Sequence, residues 1–181
     1  VMDLGTISSR YARALFSLAK EKNEETRVYD DMKMLKQSFL LVPELKETLQ
    51  NPIVSAADKE KLLIHAGGIE VCELYRRFIH MVLSHKRESC LPFITYIFIY
   101  LYRKEKKITR IRFSAATPIQ ENTQKHLIEK LQQETGNIIE FSGEVKPELI
   151  GGFCLQIGNY RLDASYASQL KHIREQLLQR K

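Results

Sequence analysis

The sequence is poor in the features that usually announce chemistry. Its 181 residues hold only three cysteines, Cys72, Cys90 and Cys154, and none form a Cys-x-x-Cys pair. A disulfide framework is therefore excluded, and free thiols point to a reducing compartment. The five histidines, His65, His80, His85, His126 and His172, are scattered, with no pair at ligand spacing beside a cysteine, so no metal site is expected. Neither a Gly-x-x-x-x-Gly-Lys-Ser/Thr loop nor a Gly-x-Gly-x-x-Gly turn occurs, which removes the common phosphate and dinucleotide cradles. The longest uncharged run, Ser89 to Tyr102, would span about 21 Å as a helix, short of a bilayer core of about 30 Å. It reads as a buried core helix. No signal peptide is expected, because Met2 is followed by Asp3 and no apolar stretch. The basic, serine-containing segment Ser8 to Arg13 leaves a mitochondrial presequence as the alternative.

What is present is ordinary globular material. Hydrophobic residues make up 44%, and 28 Lys and Arg outnumber 22 Asp and Glu for a formal charge of +6. That supports a real core in one large or two small domains and excludes a disordered chain.

The first 108 residues read as six helices. Ile7, Tyr11, Ala14, Leu15, Leu18 and Ala19 recur at steps of three and four, with Thr6 or Ser8 as candidate caps. A second helix is expected from Glu25 to Val42, with Val28, Met32, Leu35, Phe39 and Leu40 inward. A third runs from Glu44 to Gln50 behind Pro43, before the Asn51-Pro52 break. Ser55 and Asp58 open a fourth, with Leu62, Leu63 and Ala66 inward and Gly67-Gly68 at its end. The fifth carries Val71, Leu74, Tyr75, Phe78, Val82 and Leu83. The sixth starts near Ser89, tolerates Pro92 in its first turn, and ends in the basic cluster Arg103 to Lys107.

Beyond Lys107 the period changes. Thr109, Ile111 and Phe113 alternate with Arg110 and Arg112, which is strand spacing. A helix over Glu121 to Thr135 carries Leu127, Ile128 and Leu131 on one face and ends at Gly136-Asn137. Ile138, Ile139 and Phe141 suggest a second strand. Phe153, Leu155 and Ile157 precede Gly158-Asn159, with Tyr160 and Leu162 on the return, a hairpin signal. A last helix over Ala167 to Gln179 carries Leu170, Ile173, Leu177 and Leu178. The expected fold is α+β, an N-terminal six-helix bundle over 1–108 followed by a small α/β domain with a β-hairpin over 109–181.

No catalytic arrangement emerges from these residues. Gly151, Gly152 and Gly158 suit a bend and a hairpin turn. Asp163 and Ser165 sit where a helix cap is needed, and Cys154 reads as a packed thiol. No cofactor is expected. Lys86-Arg87 and the Arg103 to Lys107 cluster, with Tyr96, Tyr100 and Tyr102 nearby, keep an RNA-binding adaptor as the alternative reading. The small residues Ala12, Ala14 and Ala19 among Tyr11, Leu15 and Leu18 suit close helix packing or a groove for a partner helix.

Several motifs carry a resemblance. Arg10-Tyr11-Ala12-Arg13-Ala14-Leu15-Phe16 resembles the opening of the ATP synthase delta subunit family, whose mitochondrial member is the oligomycin-sensitivity-conferring protein. Asn51-Pro52, and Lys86-Arg87 followed by Leu91-Pro92, are similar to the same family's breaks. Leu149-Ile150-Gly151-Gly152-Phe153-Cys154-Leu155-Gln156-Ile157-Gly158, then Asp163-Ala164-Ser165 and Leu170, resembles its glycine-hairpin signature. The short N-terminus resembles that of bacterial members.

The resemblance implies a non-catalytic stator subunit of the F-type ATP synthase. It would couple rotation to proton flow and ATP synthesis by joining the catalytic head to the peripheral stalk. The N-terminal bundle would receive an alpha-subunit N-terminal helix in a groove between its first and fifth helices, with Tyr11, Ala14, Leu15, Leu18, Phe78, Ile79 and Val82 in or beside that groove, the sequence leaving open which of them face it rather than the core. The C-terminal domain, with Gly151, Gly152, Phe153, Gly158, Asp163 and Ser165 in its signature, would bind the C-terminal end of the b-subunit stalk. Nucleic acid is not an expected partner on this reading. Membrane association would come only through the complex, at the cytoplasmic face of a bacterial inner membrane.

Overall fold

The computed structural model describes residues 4–158 and 160–179. Six α-helices precede the first strand: α1 (Leu4–Glu21), α2 (Glu25–Leu41), α3 (Glu44–Gln50), α4 (Ala56–Gly67), α5 (Glu73–Ser84) and α6 (Leu91–Glu105). They are followed by β1 (Ile108–Ala115), α7 (Glu121–Thr135), β2 (Ile138–Val145), β3 (Phe153–Ile157), β4 (Tyr160–Asp163) and α8 (Tyr166–Gln179). The class is α+β. The chain divides into two compact units between Glu105 and Lys106, so Ile108, which opens β1, belongs to the second.

In the first unit α1 packs chiefly on α6, α6 on α2, and α4 on both α2 and α5. The core is built from Ala12, Leu15 and Ala19 of α1, Val28, Met32 and Leu35 of α2, and Leu91, Ile94 and Phe98 of α6. Ser55 caps α4 by accepting the Asp58 N–H at 3.2 Å, and its hydroxyl donates to the Asp58 carboxylate at 2.6 Å. At the far end of α4 only glycine fits at position 67. A Cβ there would lie 2.7 Å from the ring of Tyr75, whose hydroxyl donates to the Leu63 carbonyl at 2.8 Å. Buried Asp31 accepts the Cys72 N–H at 3.0 Å. Burial first, then the Asp31 carboxylate, pushes the Cys72 thiol up to about 12.

Three expectations fail here for geometric reasons. Thr6 and Ser8 do not cap α1, because the helix already includes Leu4. Ser8 is fully buried and its hydroxyl donates back to the Leu4 carbonyl at 2.7 Å. Leu40 is 71% exposed, since the inward place goes to Phe39, one turn beyond Leu35, and the next residue is rotated about 100° away. Leu62 is turned outward beside buried Leu63 for the same reason.

The second unit is a four-stranded sheet in the order β2-β1-β3-β4. β1 and β2 are parallel and joined through α7, whereas β1–β3 and β3–β4 are antiparallel. The register places Ile111, Phe141, Ile157 and Tyr160 in one row, and Phe113, Leu155 and Leu162 in the next, so one face is apolar. Phe113 stacks on Phe141 and Phe153 on that face, with ring centroids 6.0 and 5.5 Å apart. Arg110, Arg112, Gln156 and Arg161 lie on the opposite face. Gly136 ends α7 in the left-handed conformation, φ 64°. Asn159, the second residue of the expected turn, and Met2 and Asp3 lie outside the described residues.

Candidate functional site

α1 and α5 each carry two neighbouring apolar stripes. On α1, Ser8, Ala12, Leu15 and Ala19 are buried in the unit's core. On α5, Tyr75, Ile79 and Val82 are buried in the same way. The second stripes face each other across a cleft of about 400 Å³. Its lining is Tyr11, Ala14, Leu15 and Leu18 from α1, and Leu74, Phe78 and Met81 from α5, with Arg10, Lys22 and Arg77 at the rim. Leu15, Leu74 and Phe78 are buried and form the floor, while Ala14, Leu18 and Met81 stay open to solvent.

The cleft exists because its two helices pack on other partners. α1 is held by α6 and α5 by α4, which leaves their second stripes uncovered. Small Ala14 keeps the α1 wall low. Each rim ionisable group is a cation, and Arg77 Nε donates to Glu73 Oε1 at 3.0 Å, one turn back on α5. An apolar trough with a cationic rim can hold an amphipathic helix but offers no set of groups for bond-making chemistry.

Of the seven residues expected at a groove, five line this cleft: Tyr11, Ala14, Leu15, Leu18 and Phe78. Ile79 and Val82 do not. Both are fully buried on the core stripe of α5, one residue round from the cleft stripe. Leu74, Met81, Arg10, Lys22 and Arg77 also line the cleft and were not among the expected groove residues. The spacing of Leu74, Phe78 and Met81, four then three, repeats that of Tyr75, Ile79 and Val82, and this doubled stripe is the signal that marks them.

The signature residues of the second unit form a bend, a turn and a cap. Gly152 has φ +70°, and a Cβ there would lie 2.2 Å from the Ala164 carbonyl oxygen. Gly151 sits against the Tyr166 ring, where a Cβ would come within 2.5 Å. Phe153 opens β3, and Gly158 has φ +56° at its far end. Ser165, fully buried, caps α8 by accepting the Ser168 N–H at 3.3 Å. Asp163 supports that cap. It accepts from the Ser165 hydroxyl at 2.6 Å and its N–H at 3.1 Å, and these bonds hold its carboxyl down at about 2. Arg161 bridges Asp163, and its Nε lies 3.2 Å from Cys154 Sγ.

The start of the basic cluster at the end of α6 is drawn into packing, whereas Lys104, Lys106 and Lys107 are exposed. Tyr102 is buried and stacks on Tyr29 with centroids 4.0 Å apart, and Arg103 Nε donates to the Tyr29 hydroxyl at 3.1 Å. Tyr96 and Tyr100 are exposed. Among the described residues no cluster of three or more His, Cys, Asp or Glu could hold a metal ion, and no helix is long and apolar enough to cross a membrane.

Comparison with known proteins places this architecture. The family model of the ATP synthase delta (OSCP) subunit matches residues 7–177. The ATP synthase subunit delta of Parabacteroides distasonis is 67% identical over 98% of this chain and 99% of its own length. That of Phocaeicola vulgatus is 39% identical over 98% and 96%. A chain in the Toxoplasma gondii mitochondrial ATP synthase hexamer shares the fold, with a TM-score of 0.67 at 24% identity over 94% of this chain and 97% of that one. A family model spanning nearly the whole chain and full-length relatives agree: the chain belongs to the ATP synthase delta (OSCP) subunit family.

Proposed function

We propose that this chain, a non-catalytic subunit of the F-type ATP synthase, is the stator joint between the catalytic head and the peripheral stalk. In this role the six helices of the first unit act as a bundle that grips the head. The α1–α5 cleft receives the amphipathic N-terminal helix of an alpha subunit, with Tyr11, Ala14, Leu15, Leu18, Leu74, Phe78 and Met81 supplying the apolar contact. The second unit binds the C-terminal end of the b-subunit stalk. The chain meets the cytoplasmic face of the bacterial inner membrane only through that complex. Held this way, the head does not turn with the rotor, and rotation stays coupled to proton flow and ATP synthesis.

The observation that carries the reading is the uncovered apolar stripe pair on α1 and α5. A stator joint must persist through many turnovers, so nanomolar binding of about −12 kcal/mol is a reasonable demand. An apolar trough supplies that affinity, and Arg10, Lys22 and Arg77 at its rim set orientation and favour acidic flanks on the incoming helix. RNA binding has less support than the cleft, because Tyr102 and Arg103 of the expected basic patch pack on Tyr29, while Lys104, Lys106 and Lys107 stay exposed.

Calorimetry of the full chain against a peptide from the N-terminus of its own alpha subunit tests this at low and high salt. One-to-one, tight binding that changes little with salt is expected, since screening acts only on the rim. No binding by folded protein refutes it.

A further inference from the structure

We propose that Asp31 and Tyr75 are positioning residues for the cleft, holding its α5 wall at the spacing a partner helix needs without touching that helix. The proposal deepens the cleft reading above and rests on it.

The width of a cleft is set by what holds its walls. The α1 wall lies along α6, whereas the α5 wall leans on α4 and α2. The start of α5 has no cap of its own, because the Cys72 side chain makes no capping bond. The Cys72 N–H goes instead to Asp31 Oδ2 at 3.0 Å, a carboxylate on α2 that lies 41 residues away in sequence. About two turns further along α2, the Ser38 hydroxyl donates to the Ala66 carbonyl, in the last turn of α4, at 2.9 Å. The Tyr75 hydroxyl completes the set by donating from α5 to the Leu63 carbonyl of α4 at 2.8 Å. Side-chain-to-backbone bonds therefore join α2 to α5, α2 to α4 and α5 to α4. They close a triangle at the first turn of α5.

Asp31 is 9% exposed and Tyr75 is fully buried, so both bonds to α5 act out of water. Burial first, then the Asp31 charge, pushes the Tyr75 phenol up, and its hydroxyl stays a donor. A Cβ at Gly67 would lie 2.7 Å from the Tyr75 ring, so the ring has a close seat against α4. Apolar packing tolerates small rotations, whereas buried and satisfied polar bonds single out one arrangement.

The anchored turn is also where the cleft begins. Leu74 lies between Cys72 and Tyr75 on that turn, and Phe78 and Met81 follow along the same wall. Met81 stands about 10 Å beyond Leu74 on the helix axis, so a tilt of about 10° at the anchor moves it by about 2 Å. A shift of that size forfeits van der Waals contact along one side of a bound helix. Neither Asp31 nor Tyr75 lines the cleft, so both act through α5.

The test uses the full chain, spin-labelled through Ser17→Cys on α1 and Ser84→Cys on α5, exposed positions outside the cleft lining. The native cysteines Cys72, Cys90 and Cys154 are buried. Double electron–electron resonance reads the distance between the walls, and calorimetry with the alpha N-terminal peptide reads affinity. Asp31→Ala should broaden the distance distribution by about 2 Å or more and weaken the peptide roughly 3- to 30-fold. Added peptide should narrow the distribution again. Asp31→Asn keeps an oxygen for the Cys72 N–H and should behave as wild type. Tyr75→Phe should move both readings the same way, and it decides the matter if Asp31→Ala does not fold. Leu49→Ala, at a buried α3 position outside the cleft lining, should lower the melting temperature and change neither reading. Unchanged distance and affinity in the folded variants overturn the proposal and leave the cleft reading standing. A Leu49→Ala protein that moves the distance as far as Asp31→Ala also overturns it, because general destabilisation then accounts for the effect. Failure of the wild type to bind the peptide overturns both.

Discussion

Replacing Ala14 with arginine or tryptophan should abolish capture of the partner helix and leave the protein folded, and Ala12 supplies the control. The two alanines lie two residues apart, so they are rotated about 200° from each other on α1. Ala12 is fully buried in the core where α1 meets α6, whereas Ala14 is exposed on the wall of the cleft of about 400 Å³. At Ala14 a larger side chain meets no protein atoms that must move, and the folding cost stays within about 0.5 kcal/mol. Tryptophan fills the trough, and arginine adds a fourth cation to the rim made by Arg10, Lys22 and Arg77. Loss of about 2–4 kcal/mol of binding raises a nanomolar Kd by roughly 30- to 1,000-fold. Ala12→Leu has the opposite signature. Overpacking costs about 1–3 kcal/mol, which lowers the melting temperature of a unit of this size by roughly 5–20 °C. Calorimetry with the alpha peptide and thermal circular dichroism read the two effects separately. Folded Ala14→Arg and Ala14→Trp proteins that bind within threefold of wild type would refute the cleft as the site.

Gly152→Ala should cost about 3 kcal/mol or more, because the φ of +70° and the Ala164 carbonyl at 2.2 Å leave no room that a side-chain shift could provide. Hydrogen exchange should show the second unit losing protection before the first, and unchanged protection would count against the close approach. Lys59→Met strands Glu88, whose other carboxylate oxygen has no hydrogen-bond partner and whose side chain is only 18% exposed. Urea titration should show a loss of about 3–5 kcal/mol, largely restored in Lys59→Met/Glu88→Leu, and a loss below 1 kcal/mol would show that the pair contributes little. Asp163, held down at about 2 chiefly by the Ser165 hydroxyl, gives its full stabilisation above the unfolded value of about 4 and loses it as pH falls through its folded value. Asp163→Asn should therefore flatten the acid limb of the second unit's unfolding, followed by circular dichroism from pH 5 to 2, and an unaltered limb would sink the assignment.

Helices were legible wherever one apolar stripe was present, and ambiguous wherever there were two. Leu35 and Phe39 of α2 could be read inward from spacing, but Leu40 could not be read outward, because an adjacent leucine carries the same hydropathy at a different angle. The same ambiguity governed the site. Phe78 and Ile79 are neighbours on α5, and their order of hydrophobicity says nothing about which one meets the core. That choice is made by the helices packed on α5, α4 and α2, against which Ile79 is fully buried while Phe78 is left at the cleft floor. In the second unit the hairpin could be read from Gly158 and the alternation around it. The strand order could not, because local alternation carries no record of which strands pair across α7. Ser165 was readable as a cap from its place before an apolar helix, and the support from Asp163 follows from the two-residue spacing that lets one carboxylate take both its N–H and its hydroxyl.

The two units divide the work of a joint unequally, and burial explains how. The first keeps its shape from its own core, with Tyr75, Phe98, Met32 and Leu35 among its fully buried side chains, so its cleft is formed before a partner arrives. A preformed trough spends little binding energy on ordering itself, which suits a permanent grip. Among the described apolar residues of the second only Ile111, Leu149 and Cys154 are buried, while apolar groups on its strands and on α8, Tyr160, Leu162, Leu170 and Ile173 among them, stand open to solvent. Its stability is therefore more exposed to mass action, and a partner that covers those groups adds directly to its folding free energy. The full chain bound to the C-terminal segment of its own b subunit should gain protection from hydrogen exchange in the second unit more than in α1. The alpha peptide should change exchange in α1 and α5 and leave α8 as it was.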